Sequence, residues 1–335
     1  MVSTRDKLGR TLRDLRISVT DRCNFRCGYC MPAEVFGPNF PFLPRDEILS
    51  FEEIRVAAKV FSQLGVSKVR LTGGEPLLRR NLATLVRMLS KIEGIEDLAL
   101  TTNGALLDKA AKDLAEAGLG RVTVSLDAME ESVFREMGGK GSSLEKVKRG
   151  IEASLEAGLG VKLNMVVQKE KNVAQVLPVA HYGKSLGTPT RFIEYMDVGN
   201  HNGWKLGDVF TSMEILDVLS SEFSFEPVKP SYRGEVARRY REKDTGWEIG
   251  LISSVTQPFC GDCGRVRLTA DGKLFGCLFS STGLNVKNVL RSAEGEASLR
   301  KFFAAFWESR KDRYSENRLL EQTTDAKVEM SYVGG

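Results

Sequence analysis

Residues 15–30 read LRISVTDRCNFRCGYC, and two patterns meet within them. From Leu15 to Thr20 the chain alternates, with Arg16, Ser18 and Thr20 on one parity and Leu15, Ile17 and Val19 on the other. A repeat of two is the period of a strand, which puts each set on one face. Directly after it come Cys23, Cys27 and Cys30, spaced C-x3-C-x2-C. A strand thus delivers three thiols to the loop at its carboxyl end.

The alternation recurs downstream. Strands are predicted over 15–20, 68–72, 98–102, 122–126, 161–167 and 191–196, and amphipathic segments at 51–64, 82–92, 108–116, 144–157 and 173–185 read as crossover helices between them. Gly65, Gly118, Gly158 and Gly187 follow four of the helices as expected of C-terminal caps. Six such units imply a parallel sheet. In most strands one parity is polar: Lys68, Arg70 and Thr72; Thr123 and Ser125; Lys162 and Asn164. The outer face of a β/α barrel must be apolar to receive helices, so the polar parity faces the lumen, which a closed eight-stranded barrel would fill with branched apolar side chains. The expected fold is therefore α/β, an open, partial (β/α)6 barrel of the TIM-like kind, with a ligand inside.

After about Gly199 the rhythm stops. We expect residues 1–199 to form the partial barrel and 200–335 a C-terminal cap. The cap holds a helix-like TSMEILDVLSSEF, a basic RGEVARRYREKD, a second group of cysteines, a charged helix around 299–310 and the tail SYVGG.

Composition narrows the class. The 335 residues carry a formal net charge of +4, with the cations scattered among acids rather than in blocks, so nothing calls for nucleic acid. No run of eighteen apolar residues calls for a membrane, and MVSTRDKLGR runs into the first strand without a signal-peptide core, which suggests a cytoplasmic location.

The 6 cysteines form two triads, Cys23, Cys27, Cys30 and Cys260, Cys263, Cys277, with none left over. A chain with its own core and no secretion signal has little need of disulfides, and thiols at two- and three-residue gaps suit metal better. Three thiolates on one loop can hold three irons of a [4Fe-4S] cluster and leave the fourth iron open. Zinc is the rival; it needs a fourth ligand, and His181 and His201 are far off in sequence. The second triad, C-x2-C-x13-C, also reads as a cluster with an open iron or as a zinc ribbon short of one ligand. Arg265 and Arg267 flank Val266 just beyond it, while Arg16, Lys68, Arg70, Lys162 and Arg191 come from strands. Convergence of guanidinium forks predicts a polyanionic ligand, and no Gly-x-x-x-x-Gly-Lys-Ser/Thr loop is present to hold one instead. A nucleotide held as substrate for carbon chemistry fits.

The first triad resembles the radical S-adenosylmethionine (SAM) superfamily. With the second triad and the glycine-glycine end, the chain resembles the GTP 3′,8-cyclase family of molybdenum cofactor biosynthesis from its first strand to its terminus. The resemblance implies two [4Fe-4S] clusters and SAM as cofactors, with SAM on the open iron of the first cluster. It also implies GTP as substrate, its guanine on the second cluster, and hydrogen abstraction from the ribose C3′ followed by bonding to C8. Tyr29, Gly74, Ser125, Asn164 and Met196 then fall at SAM positions, and Thr101 joins the basic residues and Val266 around the substrate. Gly334 and Gly335 would reach into the active site. A flavodoxin- or ferredoxin-type electron donor, a downstream cyclic pyranopterin monophosphate synthase and a homodimer follow from the same resemblance. A radical peptide maturase and a non-enzymatic iron-sulfur electron carrier are the alternatives. The first usually carries more auxiliary cysteines, and the second would coordinate both clusters fully.

Overall fold

The computed structural model describes residues 4–292, 295–318 and 327–334. Strands β1 (Asp14–Ser18), β2 (Lys68–Thr72), β3 (Asp97–Thr102), β4 (Arg121–Ser125), β5 (Gly160–Val167) and β6 (Thr190–Glu194) lie side by side and parallel. Between them run α1 (Phe51–Gln63), α2 (Leu82–Leu89), α3 (Ala111–Glu116), α4 (Glu131–Gly138), α5 (Leu144–Glu156) and α6 (Val176–Ser185). The six expected β/α units are present, and Gly65, Gly118, Gly158 and Gly187 all take positive φ as caps. Helix α4 was not foreseen, because its segment holds few apolar residues; Phe134 and Met137 bury its inner face. The amphipathic run at 108–116 divides into a 3₁₀ turn, Leu107–Lys109, and the short α3.

Helix α1 shows how sequence makes these units. Ser50 and Glu53 form a capping box that satisfies the first free N–H groups. Ile54, Ala57, Ala58 and Phe61 then recur on one face and are fully buried against the sheet. The outward parity of the strands, such as Leu15, Ile17, Val69, Leu71, Val122 and Val124, supplies the other half of that core.

The chain beyond residue 200 does not fold apart from this sheet. Helix α7 (Ser212–Ser220) leads to β7 (Phe225–Val228), β8 (Arg238–Glu242) and β9 (Glu248–Ile252), and β9 pairs parallel with β6. After the second cysteine group, β10 (Arg265–Leu268) pairs parallel with β1 at the opposite edge, followed by the antiparallel β11 (Lys273–Phe275) and β12 (Leu284–Asn285). The order is β12-β11-β10-β1-β2-β3-β4-β5-β6-β9-β8-β7, a partial barrel whose two end strands do not pair with each other. Helices α8 (Lys287–Arg291) and α9 (Gly295–Ser309) return over α1, where Phe303 stacks on Phe61 at 4.4 Å. Two short helices close the chain, α10 (Tyr314–Asn317) and α11 (Met330–Val333).

Candidate active site

Strand register decides what enters the lumen. Arg16 lies between Arg70 on β2 and Arg267 on β10, with Asp14, Lys68 and Arg265 one step earlier in the same register. These residues, with Arg191, Thr101, Ser125 and Asn164, line a cavity of ≈ 430 Å³. Cys260, Cys263 and Cys277 open onto the same cavity, as does Met196. Two predicted residues stand elsewhere. Val266 has the outward parity and is fully buried in the apolar core, so only its main chain could serve a ligand. Lys162 is off the cavity wall; burial and the nearby Arg191, Arg121 and Lys68 push its ammonium down to about 8. Lys68 is on the wall but shares Asp97 with Arg121, at 3.4 and 2.9 Å respectively.

The lumen is built for an anion. Arg16, Arg70 and Arg267 are all buried, and burial together with neighbouring cations lowers each of their pKa values. Asp14 stands among these cations; burial would raise its pKa, and Arg16, Arg70, Lys68 and Arg265 override this and hold it low. Arg16 Nε, Arg70 Nε, Ser18 Oγ, Thr101 Oγ1 and Asn164 Oδ1 are buried and have no hydrogen-bond partner. Buried polar groups of folded proteins are paired almost without exception. Those on Arg16, Arg70, Thr101 and Asn164 line one cavity and fit a polar, polyanionic ligand there, while others, on Thr123, Gln168 and Tyr182, lie off it.

The first triad lines a neighbouring cavity of ≈ 130 Å³ together with Gly73, Gly74, Thr102 and Asn103. Tyr29, Thr101, Ser125, Asp127 and Met330 belong to both cavities, so the two triads face each other across a shared wall. Burial pushes the Cys23 thiol up to about 11 and those of Cys27 and Cys30 higher, so metal ligation here releases protons. Among the described residues no three His, Cys, Asp or Glu side chains converge as a single metal ion requires. Each triad lines a cavity wall, as a group larger than one ion requires.

Gly73 and Gly74 are tightly enclosed. A Cβ on Gly73 would lie 2.4 Å from Thr20 O, and one on Gly74 2.3 Å from Arg22 O. What demands glycine is therefore the cysteine loop packing on β2, sealed by Gly74 N–H to Thr20 O at 2.9 Å and Glu75 N–H to Arg22 O at 2.8 Å.

Four residues with a stake in the site escaped the sequence reading. Glu75 is fully buried, accepts from Thr102 Oγ1, Asn103 N and Leu77 N, and is pushed up to about 7 by burial. Asp127 accepts from Tyr29 Oη at 2.8 Å and from Val166 N at 2.9 Å, and burial lifts it to about 6. Arg310 donates to Cys263 Sγ at 3.4 Å while gripping Asp312 through two bonds. Arg10 donates to Cys260 O at 3.0 Å and pairs with the buried Asp6. Burial would raise the Cys263 thiol, but Arg265, whose Nε is 3.2 Å from Sγ, and Arg310 bring it down to about 6. The Gly-Gly-Glu-Pro run after β2 could have pointed to Glu75; nothing local marks Arg10 or Arg310.

The tail ends in the lumen. Tyr332 Oη donates to Asp271 and accepts from Lys273 Nζ at 2.9 Å, and Val333 is fully buried. Gly334 has φ 76° and its carbonyl lies 3.4 Å from Arg267 Nε, at the carboxyl ends of β1 and β2. Gly335 lies outside the described residues.

A parallel partial barrel with three cysteines after its first strand defines a class, and a model of the radical SAM superfamily matches residues 17–182. A second model, molybdenum cofactor synthesis C, matches 189–316. A GTP 3′,8-cyclase of Staphylococcus epidermidis is 49% identical over 98% of this chain and 98% of its own. One from Staphylococcus aureus is 48% identical over 99% and 98%. The chain belongs to the GTP 3′,8-cyclase family of radical SAM enzymes. Among solved structures, SuiB of Streptococcus suis bound to S-adenosylmethionine superposes with a TM-score of 0.62 over 95% of this chain and 76% of its own. At 13% identity that likeness concerns the fold alone.

Proposed function

We propose that this chain converts GTP to (8S)-3′,8-cyclo-7,8-dihydroguanosine 5′-triphosphate, the first step of molybdenum cofactor biosynthesis. The observation that carries the reading is the pair of cysteine triads opening onto one cation-lined lumen with unpartnered polar atoms. Cys23, Cys27 and Cys30 hold one [4Fe-4S] cluster and Cys260, Cys263 and Cys277 the other. The first cluster, with SAM bound, supplies a 5′-deoxyadenosyl radical, chemistry that belongs to the cofactor.

The protein contributes position. Gly74, Ser125 and Tyr29 take SAM from the first triad's cavity and Asn164 and Met196 from the larger one, with Asp127 fixing the Tyr29 hydroxyl. Arg16, Arg70, Arg191, Arg265 and Arg267 take the triphosphate, with Lys68 and Lys162 adding charge from nearby, and Thr101 and the main chain at Val266 complete the substrate side. The ribose C3′ then lies toward the first triad and the guanine toward the second, as hydrogen removal at C3′ and bonding to C8 require. Gly334 and Gly335 close the space beside the ribose. Residues 1–199 act as the SAM half of the enzyme and 200–335 as the half that binds the auxiliary cluster and substrate. The reading brings with it a cytoplasmic location, a reduced flavodoxin or ferredoxin as electron donor, a homodimer, and transfer of product to cyclic pyranopterin monophosphate synthase. Neither nucleic acid nor a membrane has a part; no helix among the described residues is long and apolar enough to cross one.

Anaerobic reconstitution tests it. Wild type should hold about eight irons. Replacing the first triad by Ala should abolish SAM cleavage, whereas replacing the second should leave uncoupled cleavage and stop GTP conversion. Stoichiometric zinc, or GTP turnover without the second triad, would remove the reading.

A further inference from the structure

Cys23, Cys27 and Cys30 are each only partly buried, as is Gly28 between the last two, which has no side chain of its own to cover the main chain there. Three separate stretches of chain bring cations to this loop. Arg26 donates through Nη1 to Cys23 O at 2.7 Å and Phe25 O at 2.8 Å, and through Nε to Phe36 O at 2.8 Å. Arg22 is exposed and lies over the Phe42 ring, 5.3 Å from its centre. Lys140 is exposed on a turn pressed directly onto the loop: a Cβ on Gly139 would lie 2.2 Å from Arg26 O, and one on Gly141 2.8 Å from Asn24 O. Lys171, also exposed, places Nζ 3.9 Å from the Cβ position of Gly28.

None of these four forms an ion pair among the described residues, although Arg22 acts on the nearby Asp21 carboxyl. No carboxylate among the described residues lies within ion-pair distance of Arg22, Arg26, Lys140 or Lys171. Some exposed cations elsewhere pair, Arg135 with Glu131 and Arg149 with Glu145, and others such as Arg55, Arg80 and Arg87 do not; what distinguishes these four is that they gather round one loop. A surface with unpaired charge of one sign around a half-covered redox loop suits a partner of the opposite sign that must come close but leave again. Charge complementarity of this kind speeds encounter more than it adds affinity, as transfer of single electrons requires. Interfaces of such carriers are small, and one loop with its collar is enough.

We propose that the outer face of the Cys23–Cys30 loop, ringed by Arg22, Arg26, Lys140 and Lys171, is the docking surface for an acidic one-electron carrier protein. The inference rests on the reading that an external donor reduces the cluster held by this loop. Docking brings the carrier's redox centre to the main chain at Gly28, and one electron passes from the reduced carrier to the cluster, leaving the carrier oxidised by one electron.

The test uses the reconstituted enzyme and its Lys140→Glu/Lys171→Glu variant, two residues with no part in holding cofactor or substrate. Cluster bleaching is followed by stopped flow after mixing with a purified reduced flavodoxin or, separately, with photoreduced 5-deazariboflavin, which is small and uncharged. At low ionic strength the flavodoxin rate constant should fall about tenfold or more in the variant, and the difference should shrink as salt screens the surface. Titration with oxidised flavodoxin should show weakened binding in parallel, while the deazariboflavin rate stays unchanged. Equal flavodoxin rates and affinities in the two proteins would overturn the surface. A fall with both reductants would assign the lysines to cluster integrity and overturn it equally. If neither flavodoxin nor a plant-type ferredoxin reduces wild type while deazariboflavin does, the external-donor reading fails, and the surface with it.

Discussion

Replacing Gly334 by Ala tests whether the tail belongs to the reaction. A Cβ there would lie 2.3 Å from Thr72 Cγ2 and 2.9 Å from Ser18 Oγ, at a backbone φ of 76°. The left-handed conformation costs a non-glycine residue about 1–2 kcal/mol, and forcing a methyl into a filled space costs about 1–3 kcal/mol more. Together these are about 2–5 kcal/mol, or roughly 30-fold to a few thousand-fold in the docked population at 1.4 kcal/mol per decade. The tail is held by the Tyr332–Asp271–Lys273 set and by Val333, contributions of about 1–3 kcal/mol each. The strain is therefore comparable to what holds the chain end and shifts it toward release. Single-turnover product formation should fall at least about tenfold, while iron content, thermal stability and GTP affinity stay near wild type, because the tail closes the site without building it. Adding Thr72→Ser removes Cγ2 and should restore part of the loss, leaving the backbone strain. Full activity in Gly334→Ala, or a loss that follows iron content, would refute the argument.

Glu75 makes stability depend on pH. Burial raises its folded pKa from 4.5 to about 7, so the native state keeps the proton over a range where the unfolded chain releases it. Its contribution to stability therefore declines as pH rises from about 4.5 to about 7 and is level above that. Relative to Glu75→Gln, the wild type should lose about 3 kcal/mol across that window, read from denaturant melts at several pH values; parallel curves would place the proton elsewhere. Arg310→Gln removes the cation between Cys263 and Asp312 and should cost about 3–5 kcal/mol as a broken buried pair, with iron falling from about eight to about four per chain. Retention of all the iron would show that Arg10 and the cysteines suffice.

Much of the fold was legible in local patterns. The alternation of Arg16 and Ser18 with Leu15 and Ile17 sets the polarity of the lumen by itself, because period two is a property of the strand. What stayed hidden depends on pairing between distant segments. Nothing in RVRL says that Arg265–Leu268 lies parallel to β1, or that Glu248–Ile252 extends the sheet beyond β6. Without that register the convergence of Arg16, Arg70 and Arg267 was only a count of cations, and Lys162 looked equal to the others. Val266 shows the same dependence: its neighbours in sequence face the lumen, and the strand turns its side chain into the core. Arg310 and Arg10 reach the second cysteine loop from opposite ends of the chain, a contact no spacing rule encodes.

The central claim is that one lumen brings the ribose of GTP to the radical made at the first triad. Anaerobic turnover with dithionite, SAM and GTP deuterated at C3′ addresses it directly. Deuterium should appear in 5′-deoxyadenosine in step with cyclised product. Label that stays in the nucleotide while SAM is cleaved would contradict the account.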